Sequence, residues 1–256
     1  MDAVDAVNGV PCWASLTTRD GQASEDFYGN VLGWFFEDSE LGPEYRMAVR
    51  DGAPVAGLNE TAVPRQMPVR WTVFFAVADA DQVSDRIVER GATVAVGPLR
   101  LGEGRAVVAA DPYGAPFGLW QGERPQGWAI GAGQAPAWLQ LHTLDVFDSA
   151  LFYGAVLDWS KEPGCEVGYE VLEDEVHVRA HGETVATLSG GARPAAPDPR
   201  SRPHWDIFFR SPDIDAATDA AARAGGRTVD PPHPTPHGRA ATLRDPDGAL
   251  FSLLET

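Results

Sequence analysis

Trp13…Asp20…Phe27-Tyr28-Gly29-Asn30-Val31-Leu32-Gly33-Trp34 returns 125 residues later as Trp138…Asp145…Phe152-Tyr153-Gly154-Ala155-Val156-Leu157-Asp158-Trp159. Two further stretches return 134 residues on: Trp71-Thr72-Val73-Phe74-Phe75 as Trp205-Asp206-Ile207-Phe208-Phe209, and Asp111-Pro112-Tyr113-Gly114-Ala115-Pro116-Phe117 as Asp245-Pro246-Asp247-Gly248-Ala249-Leu250-Phe251. The chain is a tandem duplication with one longer loop in its second copy. A period this long exceeds the roughly 20 to 50 residues of a solenoid unit, so it denotes two domains of one fold. The expected boundaries are 1–122 for the first, 123–136 for a linker and 137–256 for the second.

Working outward, each copy divides into two similar halves. Cys12 to Thr18 alternates as a strand, and Gln22 to Leu32 carries Ala23, Phe27, Val31 and Leu32 on one helical stripe that Gly33 ends. Tyr45 to Val49 and Val55 to Leu58 read as a hairpin about Asp51-Gly52. The second half repeats the order: a strand from Trp71 to Val77, a helix capped by Asp79 or Asp81, and strands near Thr93 to Val96, Gly104 to Ala109 and Pro116 to Trp120. Copy two matches, with helices near Ser149 to Leu157 and Ile214 to Ala224. The fold class expected is α+β, built from four βαβββ modules. Thr61 to Pro68, Glu123 to Pro136 and Gly190 to Pro203 have the composition of surface tethers, and Asp230 to His237 that of a proline-stiffened loop or lid.

Composition narrows the function. A formal net charge of −17 disfavours nucleic acid and anionic membranes, which attract clustered Lys and Arg; Lys161 is the one lysine. No run reaches the roughly 20 apolar residues of a membrane span, and the start at Met1-Asp2-Ala3-Val4-Asp5 lacks the basic region of a secretion signal, so a cytoplasmic location is expected. Cys12 and Cys165 occupy unmatched repeat positions and form no CxxC, which favours reduced, structural thiols. Ser15, Ser211 and Ser252 lack a nucleophile elbow, and Gly102-Glu103-Gly104 is too short for a phosphate loop.

Four βαβββ modules, Ser24…Phe27-Tyr28 with Ser149…Phe152-Tyr153, and Gly104-Arg105-Ala106 and Gly238-Arg239-Ala240 before the two Asp-Pro-x-Gly turns resemble the vicinal oxygen chelate superfamily. That superfamily includes glyoxalase I, extradiol dioxygenases and bleomycin-binding resistance proteins. The resemblance covers essentially the whole chain and is closest to two-domain actinobacterial proteins that carry hydroxylase names. It implies two half-open β cups with helices outside and a small molecule inside, and dimers are common among such proteins. It also implies metal-ligand positions, which here hold Trp13, Thr72 and Gly118 in copy one and Trp138, Asp206 and Ser252 in copy two. Only Asp206 offers a carboxylate, so no three-ligand site assembles at them and no cofactor is expected.

All six histidines fall in copy two. Strand alternation sets His142 on the face of Trp138 and His204 on that of Asp206, so His142, His204 and Asp206 could converge as a facial triad; the expected reading is His142 as a polar cup residue and His204 as a surface residue at the strand start. His142 with Asp206 is also the pair suited to proton transfer. The same alternation predicts a first ligand wall of Trp13, Ser15, Thr17, Thr72, Phe74 and Trp120. A second wall has Trp138, Gln140, His142, Asp206 and Phe208. Trp34, Trp71, Trp159 and Trp205 are expected on the helix side, whereas Trp13 and Trp138 suit core filling and ligand stacking equally. The expected function is metal-free binding of a hydrophobic or aromatic small molecule, for sequestration, self-resistance or natural-product biosynthesis. The alternative is an isomerase, lyase or oxygenase on a small carbonyl or phenolic substrate, using His142 and Asp206.

Overall fold

The computed structural model describes residues 8–160, 167–172, 174–193, 196 and 198–256; Lys161, Cys165 and the first seven residues lie outside them. Four βαβββ modules are present. The first comprises β1 (Pro11–Thr17), α1 (Gly21–Leu32), β2 (Phe35–Asp38), β3 (Tyr45–Arg50) and β4 (Ala53–Asn59). The second has β5 (Arg70–Ala76), α2 (Ala80–Glu89), β6 (Thr93–Leu101), β7 (Gly104–Ala110) and β8 (Pro116–Gln121). The third has β9 (Trp138–His142), α3 (Val146–Val156), β10 (Val167–Leu172), β11 (Glu175–Ala180) and β12 (Glu183–Ser189). The fourth has β13 (His204–Ser211), α4 (Ile214–Arg223), β14 (Arg227–Thr235), β15 (Gly238–Arg244) and β16 (Leu250–Glu255). Two eight-stranded sheets result, ordered β2-β3-β4-β1-β5-β8-β7-β6 and β10-β11-β12-β9-β13-β16-β15-β14.

Local chemistry sets the elements. Each helix starts at an aspartate, Asp20, Asp79, Asp145 or Asp213, whose carboxylate accepts a backbone N–H of the first turn. Helix α1 stops at Gly33, whose φ of 68° needs no Cβ. At the two Asp-Pro-x-Gly turns, Asp111 accepts from the Tyr113 and Ala115 amides and Asp245 from those of Gly248 and Ala249.

Two expectations are corrected. Asp230 to His237 is no loop: residues through Thr235 form β14, and Pro231, Pro232 and Pro234 are tolerated because β14 is an edge strand with no outer neighbour to receive an N–H. The 123–136 stretch is no bare tether either. Trp128, Ile130 and Ala135 are buried, and the Trp128 indole donates to the Val55 carbonyl at 2.7 Å.

By packing, the chain divides into two units. One gathers the segment up to Cys12 with Val73–Arg124 and Leu139–Trp205, and the other gathers Trp13–Thr72, Pro125–Trp138 and Asp206–Thr256. Each unit therefore draws on both copies, and each is built around the same aromatic arrangement. In the second, Trp71 Nε1 donates to Tyr28 Oη at 2.8 Å and Tyr28 Oη donates to Asp245 at 3.0 Å, while the Tyr28 ring stacks on Trp34 at 5.5 Å. In the first, Trp205 Nε1 donates to Tyr153 Oη at 3.0 Å, Tyr153 Oη to Asp111 at 3.2 Å, and Tyr153 stacks on Trp159 at 5.7 Å. Phe209 packs edge-on against Trp34 in one unit, as Phe75 packs against Trp159 in the other. All four tryptophans expected on the helix side are there. A buried ring of this size removes roughly 150 to 250 Å² from water, so these clusters dominate the cores. The repeated motif residues Tyr28, Tyr153, Asp111 and Asp245 are thus architecture, not chemistry. Burial is the main cause holding both carboxyls above the ordinary carboxylate range and both phenols well above theirs.

Candidate functional site

The faces turned away from the helices differ between copies. Strand β1 is buried at every position, Trp13, Ser15 and Thr17 included. Trp13 Nε1 donates to Tyr45 Oη at 2.6 Å, and its ring lies 5.5 Å from that of Trp128. Gly57 floors this group: a Cβ there would stand 1.8 Å from the Tyr45 hydroxyl. Trp13 is therefore a hydrogen-bonded filler with 8% of its surface exposed, and no open indole face remains at it. Thr72 is also buried. Phe74 lies across Gly118, where a Cβ would meet its ring at 2.3 Å, and Trp120 lies across Gly104 with its indole donating to the Glu123 carbonyl at 2.8 Å.

The first strands of copy two alternate instead. Along β9, Trp138, Gln140 and His142 are half-buried while Leu139 and Leu141 are fully covered; along β13, His204, Asp206, Phe208 and Arg210 are half-buried between covered neighbours. This is the period of two expected of strands with one packed and one accessible face. The accessible face carries aromatic and polar groups together. The ring of His237, from the β14–β15 turn, lies 4.0 Å from that of Trp138, tilted by 31°. Gln140 donates to Ser189 Oγ at 2.9 Å, and Ser252 shares a hydrogen bond of 3.0 Å with Thr242. Arg210 is pinned by the carbonyls of Gly131 and Ala135, so the connecting stretch orders this side chain too.

His142 and His204 face each other with ring centroids 4.9 Å apart and planes 21° from parallel. Asp206 follows His204 by two residues on β13, so the strand carries both to one face. His142, His204 and Asp206 form a group whose candidate ligand atoms all lie within 4.8 Å of one another. His177, His181 and His233 stand apart from it; His177 and His233 lie near Glu175 and Asp230 respectively, and His181 occupies a turn with φ of 52°. Cys12 is inert, its thiol pushed up to about 12 by burial.

The six positions implied for a family metal do not fit one. Trp13 spends its indole on Tyr45, Gly118 sits beneath Phe74, Trp138 beneath His237, and Ser252 pairs with Thr242. Three contributors were missed in the sequence: Trp128, Tyr45 and His237 as a partner of Trp138. The apolar pair Trp128 and Ile130 inside a Gly- and Pro-rich connector was the available sign of the first.

Residues 12–119 match the glyoxalase/bleomycin resistance protein/dioxygenase superfamily, and residues 138–254 match a glyoxalase-like domain. The anthracycline biosynthesis protein DauV of Streptomyces sp. (strain C5) is 34% identical over 96% of this chain and 93% of its own length. CFP32 of Mycobacterium tuberculosis, which bears a provisional glyoxylase name, is 35% identical over 96% of this chain and 95% of its own. Among solved structures, the Mn(II)-bound glyoxalase from Novosphingobium aromaticivorans covers 96% of this chain and 81% of its own at a TM-score of 0.57 and 15% identity. An extradiol ring-cleaving dioxygenase from B. fuscum covers 100% and 74% at a TM-score of 0.59 and 16% identity. No helix among the described residues is long and apolar enough to cross a membrane.

Proposed function

Because the chain belongs to the glyoxalase/bleomycin resistance/dioxygenase superfamily, we propose that it binds a flat aromatic small molecule on the second copy's accessible face and serves natural-product biosynthesis, sequestration or self-resistance. The carrying observation is the contrast between the two tryptophans that head the copies. Trp13 is packed away, whereas Trp138 is half-buried and already holds an aromatic ring, that of His237, at stacking distance. A ligand ring taking the place of His237 would find an indole platform beside Gln140 and Phe208, an apolar surface with few polar handles as organic ligands require. The names of DauV and of DnrV from Streptomyces peucetius, 32% identical, support a polycyclic aromatic ligand. Stacking and hydrogen bonding suffice for such binding, so it requires no metal ion.

Tryptophan-fluorescence quenching against a panel of polycyclic quinones and phenols tests this. The expected result is saturable quenching by at least one class, weakened about tenfold in Trp138→Ala, the loss of one favourable stack. No quenching across the panel, or affinity unchanged in that variant, refutes it.

A second reading rests on one observation, the grouping of His142, His204 and Asp206. There the protein is an isomerase, lyase or oxygenase on a small carbonyl or phenolic substrate, with His142 as base and Asp206 as its partner. Turnover abolished by Asp206→Asn while aromatic binding persists would select it.

A further inference from the structure

We infer that His142, His204 and Asp206 form a binding site for a divalent transition-metal ion, displaced from the positions at which the superfamily's metal-dependent members are expected to hold theirs. Only Asp206 stands at such a position, and its would-be companions there, Trp138 and Ser252, cannot coordinate through nitrogen or carboxylate. The displaced set can. Two imidazoles and one carboxylate are the donors of a facial triad, which leaves coordination positions for water or a ligand oxygen and suits Fe, Mn, Co or Zn rather than Mg or Ca.

Three features support the set as a site. Its candidate ligand atoms lie within 4.8 Å of one another. Bonds of about 2.1 Å to one ion require separations of about 3.4 Å or less between adjacent donors, a difference that small side-chain rotations close. His204 is already oriented for the task, because its Nδ1 lies 2.6 Å from the Arg202 carbonyl. That contact makes Nδ1–H the donor, the carbonyl support usual for ligating histidines. All three residues are half-buried, which permits entry of an ion while partly excluding competing water. The chain's net charge of −17 also favours cations in its vicinity.

The test uses the metal alone and the full chain, so it does not depend on the aromatic-ligand reading. Chelator-treated protein is titrated with Co²⁺ and, separately, Zn²⁺ by calorimetry, with visible absorption following Co²⁺. The expected outcome is one equivalent bound by the wild type, with affinity lowered at least about tenfold in His142→Asn and in Asp206→Asn. Binding should be unchanged in His233→Ala, which alters a surface histidine beside Asp230. Saturating Zn²⁺ should raise the unfolding temperature of the wild type and of neither site variant, and Asp206→Asn, the isosteric change, decides if His142→Asn folds poorly. Failure of the wild type to bind stoichiometrically overturns the inference, as does binding that survives both substitutions, which would assign the ion to the outlying histidines.

Discussion

Replacing Tyr28 by Phe removes one oxygen and leaves the ring in its cluster, stacked on Trp34 at 5.5 Å and edge-on to Trp71 at 5.4 Å. The hydroxyl bridges two buried groups: it accepts from Trp71 Nε1 at 2.8 Å and donates to Asp245 Oδ2 at 3.0 Å. Its loss strands a buried indole N–H, costing about 1 to 3 kcal/mol, and removes a donor from a largely buried carboxylate, costing about 1.5 to 3. The phenol no longer has to be desolvated, so the net loss should be near 3 kcal/mol. With a urea m-value of about 3 kcal/mol/M, the unfolding midpoint should fall by about 1 M. The loss should also depend on pH. Burial holds the Asp245 carboxyl above its ordinary 3.8, and the Tyr28 donor pulls it partly back. A carboxyl raised in the folded state binds its proton more tightly there than in the unfolded chain. Stability therefore falls as pH rises from 3.8 through the folded-state value. Without Tyr28 the folded value rises further, so the variant's deficit should be larger at neutral pH than near 3.8. Urea unfolding at both pH values measures it. A midpoint shift below about 0.2 M, or a deficit constant with pH, would refute the bridge as a source of stability. Tyr153→Phe should behave alike, since Trp205 and Asp111 bracket that hydroxyl in the same order.

Trp128→Ala should cost about 3 to 5 kcal/mol, the penalty of a large cavity, and should expose the bond after Glu123 to a glutamate-specific protease; a connector equally resistant in wild type and variant would show that Trp128 does not anchor it. Gly57→Ala would drive a methyl into the Tyr45 hydroxyl and break its bond to Trp13. Chemical denaturation should show a loss of about 1 to 3 kcal/mol, and an unchanged midpoint would mean the Trp13 group yields without strain.

Much of this architecture was legible because the repeat supplied two readings of each element. The matched positions of Trp34 and Trp159, and of Trp71 and Trp205, marked them as core, and strict alternation in β9 and β13 placed Trp138, His142 and Asp206 on one kind of face. Pairings between distant segments were not legible. Nothing local to Tyr28 names Asp245 as its acceptor, because a hydrogen bond across 217 residues leaves no periodicity behind. Trp128 was hidden for a related reason: a stretch rich in Gly and Pro has no regular period from which a packed face can be recognised. The prolines of β14 misled because their meaning depends on whether a strand has an outer neighbour, which only the sheet order decides.

Each aromatic cluster takes its tyrosine from one copy and its aspartate from the other: Tyr28 with Asp245, and Tyr153 with Asp111. A gene cut between its halves would therefore encode two polypeptides that each lack the acceptor for their own phenol. A molecule carrying one copy could meet the same needs only by exchanging them with a second molecule, so the present chain has the internal bookkeeping of a fused dimer. That shared interior does not make the copies alike elsewhere, for Trp13 is packed away while Trp138 is half-buried.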